Sequence, residues 1–156
     1  MAEISLTPMT RKLCHEFFSG FENDADLFAD MSRFQKYVYD EERVNAFFEK
    51  QQAKDRIALM VLLGERPIGQ IIFKQIDDSL RECTLSIHMQ NDQYKGRGYG
   101  TRAEQLAVEY ALNELKMKKI HADTILKNKR SQHVLEKVGF RFVRSDGAFR
   151  YYMLER

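Results

Sequence analysis

The sequence predicts a mixed α/β fold, and three features of its pattern support this prediction. Runs of apolar and β-branched residues alternate along the chain with stretches whose apolar residues recur at helical spacing. In the predicted order, a strand and helices come first, three antiparallel strands follow, and a βαβ-like unit lies at the centre. Apolar residues make up 44% of the 156 residues, which is enough for one full core. We therefore expect a single domain over residues 1–156.

Turn residues and helix-start signals set the boundaries of the predicted elements. The acidic run 40–42 favours a helix start, Gly64–Pro67 and Asp77–Ser79 are turn sequences, and Asp146-Gly147 is a hairpin signal. The predicted elements are, in chain order, a strand at 3–8, helices at 10–20, 24–39 and Asp40–Lys54, strands at Ile57–Leu63, Ile68–Ile76 and 81–89, a helix at Gly98–Leu115, a strand at Lys119–Leu126, a helix at Lys129–Val138, and strands at Phe140–Arg144 and 148–154.

Charge and cysteine content argue against several classes of protein. Lys and Arg number 25 against 23 Asp and Glu, and the net charge of +2 gives no strong attraction to nucleic acid or to an anionic membrane. Cys14 and Cys83 are far apart and form no metal-type pair, so we expect free thiols and no metal. The N-terminus does not resemble a signal peptide, and no stretch approaches the ~20 apolar residues of a membrane span. These features predict a cytoplasmic protein without nucleic-acid or membrane partners.

A glycine-rich run, Gln93-Tyr94-Lys95-Gly96-Arg97-Gly98-Tyr99-Gly100-Thr101, directly precedes the longest predicted helix. Glycine permits positive φ and close approach of the backbone to a ligand, so successive N–H groups can turn inward together. At a helix N-terminus these N–H groups also carry the positive end of the helix dipole, which favours phosphate oxygens. The residues predicted to bind a polyphosphate are Lys95, Gly96, Arg97, Gly98, Tyr99, Gly100 and Thr101.

Three alternatives compete with this interpretation of the glycine run. A dinucleotide fold needs Gly-x-Gly-x-x-Gly after a buried apolar strand, whereas this run has the spacing Gly-x-Gly-x-Gly and follows a half-polar strand. A Walker loop needs a closing Gly-Lys-Ser/Thr, which is absent here. An ordinary tight turn that caps the helix is the structural alternative. The spacing therefore argues against dinucleotides and Walker-type nucleotides as the ligand.

Two motifs in the second half of the chain resemble those of one enzyme family. Gln93-x-x-Gly96-x-Gly98 resembles the Gln/Arg-x-x-Gly-x-Gly/Ala signature of the GCN5-related N-acetyltransferases (GNAT). The stretches 128–131 (Asn-Lys-Arg-Ser) and 135–140 (Leu-Glu-Lys-Val-Gly-Phe) are similar to a run in the branch that includes ribosomal-protein N-terminal acetyltransferases. The resemblance implies a GNAT-like fold, which is a mainly antiparallel central sheet with helices on both faces. It also implies acetyl-CoA as cosubstrate, with its pyrophosphate held by the glycine run.

The same resemblance implies further contacts to the cosubstrate. The backbone at the end of the third central strand, formed by Ile87, His88 and Met89, is implied to hydrogen-bond the pantetheine arm as an added strand would. Asn128 is implied to contact the same arm. A simple helix-capping role is the alternative for Asn128, because asparagine is common at that position.

Ser131 and Glu82 are the predicted catalytic residues. Ser131 falls on the inward face of the last helix, and the resemblance implies that it protonates or solvates the departing thiolate; local hydrogen bonding is the alternative. Many relatives place a tyrosine acid where this sequence has Leu135, which leaves Ser131 as the candidate. Glu82 aligns with the glutamate base of histone-type relatives. His88 is a second candidate base, because it lies nearer the glycines and histidine accepts protons near neutral pH.

The sequence therefore predicts an acetyl-CoA-dependent N-acetyltransferase that works by direct attack in a ternary complex. The expected acceptor is a primary amine on a protein N-terminus, a polyamine or another small amine. The resemblance implies that aromatic residues of the 24–54 region wall its pocket, and the candidates are Phe34, Tyr37, Tyr39, Phe47 and Phe48. Core packing is the favoured alternative for Phe47 and Phe48. We expect a monomer or homodimer. The alternative is a non-catalytic acyl-CoA-binding or sensing module, and nucleic-acid binding through the lysines of 116–130 is a third possibility.

Overall fold

The computed structural model describes residues 3–22, 36–94 and 96–156, and within them the order of elements follows the prediction. The elements are β1 (Ile4–Pro8), α1 (Arg11–Ser19), α2 (Glu41–Lys50), β2 (Ile57–Leu63), β3 (Arg66–Asp77), β4 (Glu82–Met89), α3 (Tyr99–Asn113), β5 (Lys119–Ile125), α4 (Lys129–Val138), β6 (Arg141–Ser145) and β7 (Phe149–Glu155).

Two predicted helices differ from the structure. Most of the helix predicted at 24–39 lies outside the described residues, and the described part, 36–39, is not helical. The helix predicted to run to Lys54 ends at Lys50. It ends there because the side chains of Gln51 and Gln52 donate hydrogen bonds to the carbonyls of Phe47 and Phe48, at 3.1 and 3.2 Å, which satisfies acceptors of the last turn.

The seven strands form one mixed sheet in the order β1-β2-β3-β4-β5-β7-β6. Every neighbouring pair is antiparallel except β4 and β5, which are parallel. The parallel pair arises where α3 connects β4 to β5, since parallel strands need a crossover connection. The prediction of a mixed, mainly antiparallel sheet is confirmed.

Helices cover both faces of this sheet, as the prediction required. Successive residues of β2 point to opposite faces, so Leu59 and Val61 join one hydrophobic cluster while Met60 joins the other. The smaller cluster lies under α1 and α2 and contains Phe17 and Phe18. The larger cluster lies under α3 and α4. Successive side chains of one central strand therefore point to opposite sides of the sheet, one under α1 and α2 and the other under α3 and α4.

The central strands β4 and β5 pair over a short distance and then separate. Their parallel register covers only Glu82–Thr84 and Lys119–His121. Beyond it, β4 stays paired with β3 as far as Met89, and β5 stays paired with β7 as far as Ile125. Because the outer neighbours hold both strands, the inner edges face each other across a gap. The backbone groups of those inner edges are available to a ligand.

Three further expectations concern the cysteines, metals and membranes. Cys14 and Cys83 are free and buried, so the prediction of free thiols is confirmed. No group of three or more His, Cys, Asp or Glu within the described ranges could hold a metal ion. Among the described helices, none is long and apolar enough to span a bilayer.

Candidate active site

A cleft of about 560 Å³ lies where β4 and β5 separate. Its walls come from the inner edges of these strands, from the glycine loop and first turns of α3, and from one side of α4. Five successive residues of β4, Leu85–Met89, line the cleft, and successive strand residues point to opposite faces. The cleft is therefore open to both sides of the sheet.

The glycine loop forms the end of the cleft beside α3. Gly96 has φ +73° and Gly98 has φ +82°, both in the left-handed region that glycine adopts without strain. Gly98 is the N-cap of α3, and no side chain caps the first turn of that helix. No atom lies within 4 Å of where a Cβ would stand at Gly96, Gly98 or Gly100. The loop therefore leaves both backbone N–H groups and open space for an anion at a helix N-terminus.

Not every predicted member of this loop reaches the cleft. Gly96, Gly98, Gly100 and Thr101 line it, as predicted. Arg97 is exposed and Tyr99 is half-buried, and neither is a lining residue. Lys95 lies outside the described residues.

The predicted strand-end residues lie in the gap. Ile87, His88 and Met89 all line the cleft and belong to the part of β4 that has no partner in β5. An extended ligand that carries amide groups could hydrogen-bond this free edge, as an added strand does. The geometry required by that prediction is present.

Asn128 and Ser131 stand at the start of α4. Oδ1 of Asn128 accepts a hydrogen bond from the backbone N–H of Ser131 at 3.1 Å, so Asn128 caps the helix. Asn128 also lines the cleft. Ser131 and Leu135 of α4 line it too, so their face of the helix points inward as predicted. The Oγ of Ser131 takes part in none of the hydrogen bonds found among the described residues. Its proton is available to a group in the cleft.

Glu82 is not brought to the cleft. It begins β4, six residues before His88, so the two side chains are separated by about 20 Å along the strand. Oε1 of Glu82 lies 2.9 Å from Nε2 of His121, and neither residue lines the cleft. The spacing of Glu82 from the glycines predicts a catalytic base, but this spacing does not show where β4 separates from β5. Of the two candidate bases on β4, only His88 lines the cleft.

Three of the five aromatic candidates for the acceptor wall pack in hydrophobic core, as the alternative for Phe47 and Phe48 predicted, whereas Tyr39 is exposed. Tyr37, Phe47 and Phe48 pack against the smaller cluster, where the Phe47 ring lies 5.0 Å from that of Phe18. Phe34 lies outside the described residues. Among the described residues, the groups that line the cleft on the α1–α2 side are Glu22, Lys74, Ser86, His88, Asp123, Ile125 and Phe149.

Sequence analysis missed Glu104, a buried carboxyl on α3. Glu104 is 3% exposed, lines the cleft, and makes no hydrogen bond or ion pair with any described residue. Burial raises the pKa of its carboxyl to about 8. The sequence does contain a signal, because Glu104 is spaced three, four and seven residues from Ala107, Val108 and Ala111, which are buried on the same helical face.

The site suits a ligand with a pyrophosphate at one end and an amide-containing arm. The open glycine loop at the start of α3 and the inner edges of β4 and β5 have the geometry for these two parts, and acetyl-CoA contains both. We call this glycine loop the phosphate cradle. Fold and site thus define the class of acetyl-CoA-dependent acetyltransferases. A sequence profile of the Acetyltransferase (GNAT) domain matches residues 4–141, so the chain belongs to the GNAT family.

Individual relatives are more distant. "Probable N-acetyltransferase YjcK" of Bacillus subtilis (strain 168) is 34% identical over 76 residues, which are 49% of this chain and 42% of that protein. The chain thus matches less than half the length of this curated relative. Spermidine N-acetyltransferase from Vibrio cholerae, in complex with CoA and spermine, gives a TM-score of 0.79 at 15% identity over 97% of this chain and 95% of that one. A dodecameric structure of spermidine N-acetyltransferase from the same organism gives a TM-score of 0.74 at 14% identity, covering 97% and 93%.

These comparisons establish the family and the fold. The family match shows that residues 4–141 form an acetyltransferase domain of the GNAT family, whose cosubstrate is acetyl-CoA. The solved structures share the fold. The residues present here fit the cosubstrate, because the glycine positions are open and the inner strand edges are free.

Substituting Gly98 by alanine tests the phosphate cradle. A left-handed φ costs an L-residue about 1 kcal/mol, so Gly98→Ala should lower the free energy of unfolding by that amount and turn the cradle N–H groups away. We expect the Kd for acetyl-CoA, measured by calorimetry, to rise about tenfold, which corresponds to ~1.4 kcal/mol of binding energy.

Gly64→Ala is the matched control. Gly64 has φ +64°, an open Cβ position and an exposed site in the turn between β2 and β3, away from the cleft. It should lose similar stability and keep the parent Kd. Unchanged acetyl-CoA binding in Gly98→Ala would contradict the cradle, and equal weakening in both variants would point to a global effect.

Proposed function

We propose that this protein transfers the acetyl group of acetyl-CoA to a primary amine by direct attack of the amine in a ternary complex. The gap between β4 and β5 is the observation that carries the proposal, because it connects the cradle beside α3 with the opposite face of the sheet. Acetyl-CoA supplies the activated acyl group as a thioester. In the proposal, residues 1–156 act as one GNAT-like domain.

The acceptor enters, in this proposal, from the α1–α2 side of the sheet. Glu22 and Asp123 line that side of the cleft together with Lys74, and the excess of carboxylates favours the approach of a cationic amine. The Vibrio cholerae spermidine N-acetyltransferase of the same fold forms a complex with CoA and spermine. We therefore propose a polyamine or another small amine as the acceptor. A peptide N-terminus is the alternative, supported by the resemblance of 128–131 and 135–140 to the ribosomal-protein branch.

The chain's own groups can perform each proton transfer that acetylation of an amine requires. An amine attacks only when uncharged, and His88 lies on the amine side of the cleft, where it can accept the proton. The free backbone N–H groups of the β4 inner edge can stabilise the negative charge that develops on the carbonyl oxygen. As the C–N bond forms and the C–S bond breaks, Ser131 Oγ can donate its proton to the departing sulfur and recover one from water.

A non-catalytic acyl-CoA-binding module is the second candidate. Leu135 favours this candidate, because many relatives have a tyrosine acid at that position. The Leu135 side chain is 3% exposed and has no proton to donate. Such a module would bind acetyl-CoA without turnover on addition of an amine. Monomeric or homodimeric assembly and a cytoplasmic location stay predictions from the sequence.

A thiol-release screen across amine classes tests the proposed activity. We expect polyamines to stimulate release of CoA from acetyl-CoA more than peptide N-termini, aminoglycosides or amino acids do. Cys14 and Cys83 should add little background, because burial raises the pKa of each thiol to about 11. Saturable acetyl-CoA binding with no stimulation by any amine would favour the sensing module, and absence of binding would refute both functions.

His88→Gln tests the assignment of the base. The variant keeps a polar side chain of similar size but cannot accept the amine proton, so kcat/KM for the amine should fall about 100-fold at neutral pH. Glu82→Gln is its control on the same strand, and we expect it to stay within about twofold of the parent because Glu82 is outside the cleft. The reverse result would assign the base role to Glu82.

Ser131→Ala tests the proton donor. The backbone N–H that bonds Asn128 is kept, so the helix start should be intact while kcat falls at least about tenfold with little change in KM for acetyl-CoA. Ser86→Ala makes the same chemical change elsewhere in the cleft and should preserve kcat. Full turnover in Ser131→Ala would show that the thiolate leaves without this group.

A further inference from the structure

Among the described residues that line the cleft, Glu104 is the one buried acidic group, and the proposed reaction does not use it. It is 3% exposed and has no hydrogen-bond or ion-pair partner among the described residues, yet it lines the cleft. A buried carboxyl without a partner is costly in the charged state and still costly when neutral unless it finds a hydrogen bond. Its position therefore indicates a partner that binds in the cleft.

The position of Glu104 on α3 indicates which part of a ligand it meets. Gly100 and Thr101, four and three residues earlier, also line the cleft, so all three lie on the same helical face. The rise of a helix places Glu104 about 6 Å further along α3 than Gly100, away from the phosphate cradle. Leu85 and Ile87 line the same α3–α4 side of the cleft. Glu104 is thus situated between the cradle and the gap in the sheet.

We infer that Glu104 is a pH-dependent binding residue for acetyl-CoA. Its protonated carboxyl donates a hydrogen bond to the pantetheine arm, and its ionised form, which lacks this proton and carries a negative charge, weakens binding of the anionic cosubstrate. The arm has amide carbonyls and a hydroxyl, which accept hydrogen bonds from a carboxylic acid. An ionised Glu104 would lack the proton to donate and would add negative charge beside a polyanionic cosubstrate. The inference rests on the acetyl-CoA site of the proposed function and names one further residue of that site.

Burial alone sets the protonation state on which the inference depends. Burial raises the pKa of Glu104 to about 8, and no charged neighbour contributes to the shift. Of the described elements packed against α3, β1 contributes no titratable residue and β4 contributes the buried Cys83. From α4, Arg130, His133 and Lys137 line the cleft, whereas His88 and Lys74 line its opposite, α1–α2 side. At neutral pH Glu104 is therefore mostly uncharged, and it ionises as the pH rises past 8.

Calorimetric titration of acetyl-CoA, with no amine present, tests the inference. If the bound state keeps Glu104 protonated, the Kd of the parent should rise about tenfold between about pH 7 and about pH 9. Binding near pH 8.5 should also take up about three-quarters of a proton, measured from the enthalpy in buffers of different ionisation heat. Neither readout depends on turnover. Absence of proton uptake by the parent would overturn the inference without any variant.

Variants at position 104 separate the hydrogen bond from the charge. Glu104→Gln retains an N–H donor but does not ionise, so its Kd should match the parent at pH 7, stay constant to pH 9 and show no proton uptake. Glu104→Met removes the donor at similar size, and its Kd should be about tenfold weaker at pH 7. Glu109→Gln makes the same chemical change on the exposed face of α3 and should follow the parent. A Glu104→Gln profile identical to the parent's, or parent-like affinity in Glu104→Met, would overturn the inference.

Thermal unfolding shows whether the variants report on binding or on folding. A raised pKa means that the folded state holds a proton that the unfolded state loses, so the parent loses stability as the pH rises from about 4.5 to 8. Glu104→Gln should therefore melt at a higher temperature than the parent at pH 7 and near the same temperature at pH 4. If the parent fails to bind acetyl-CoA at every pH, the proposed function fails together with this inference; if it binds without pH linkage, only the inference fails.

Discussion

The separation of β4 from β5 is the constraint on which the rest of the site depends. Three residue pairs join the two strands, and then each follows its other neighbour, so the inner edges have hydrogen-bonding groups without a strand partner. Buried backbone groups in that condition need a partner, and a ligand with amides can supply it. The gap persists because β3 and β7 hold the strands on their outer sides.

This gap makes the two faces of the sheet parts of one site. The larger core under α3 and α4 supports the phosphate cradle, Asn128 and Ser131, whereas His88 and Asp123 belong to the side of α1 and α2. A cosubstrate and an acceptor can therefore approach from opposite sides and meet between the strands. In the proposed reaction, His88 accepts a proton on the α1–α2 side of the sheet, and Ser131 donates one on the α3–α4 side.

Two features of the site lower the stability of the fold. Gly98 replaces a side-chain cap with an open loop at the start of α3, and Glu104 places an unpartnered carboxyl where its neighbours on the same helical face are apolar. Functional sites commonly depart from the local rules of stability in this way. Both departures border the cleft, and each is explained by a ligand that supplies the missing partner.

The sequence by itself determined the element order, the antiparallel character of the sheet and the glycine cradle, because periodicity, turns and glycine spacing are local properties. It also identified Asn128 as a helix cap and placed Ser131 on an inward face. Only the tertiary structure decided that Glu82 bonds His121 outside the cleft while Glu104 lines it. Strand alternation gives Glu82 and His88 the same face, but the point at which two strands separate depends on pairing with residues distant in the chain, which no local pattern contains.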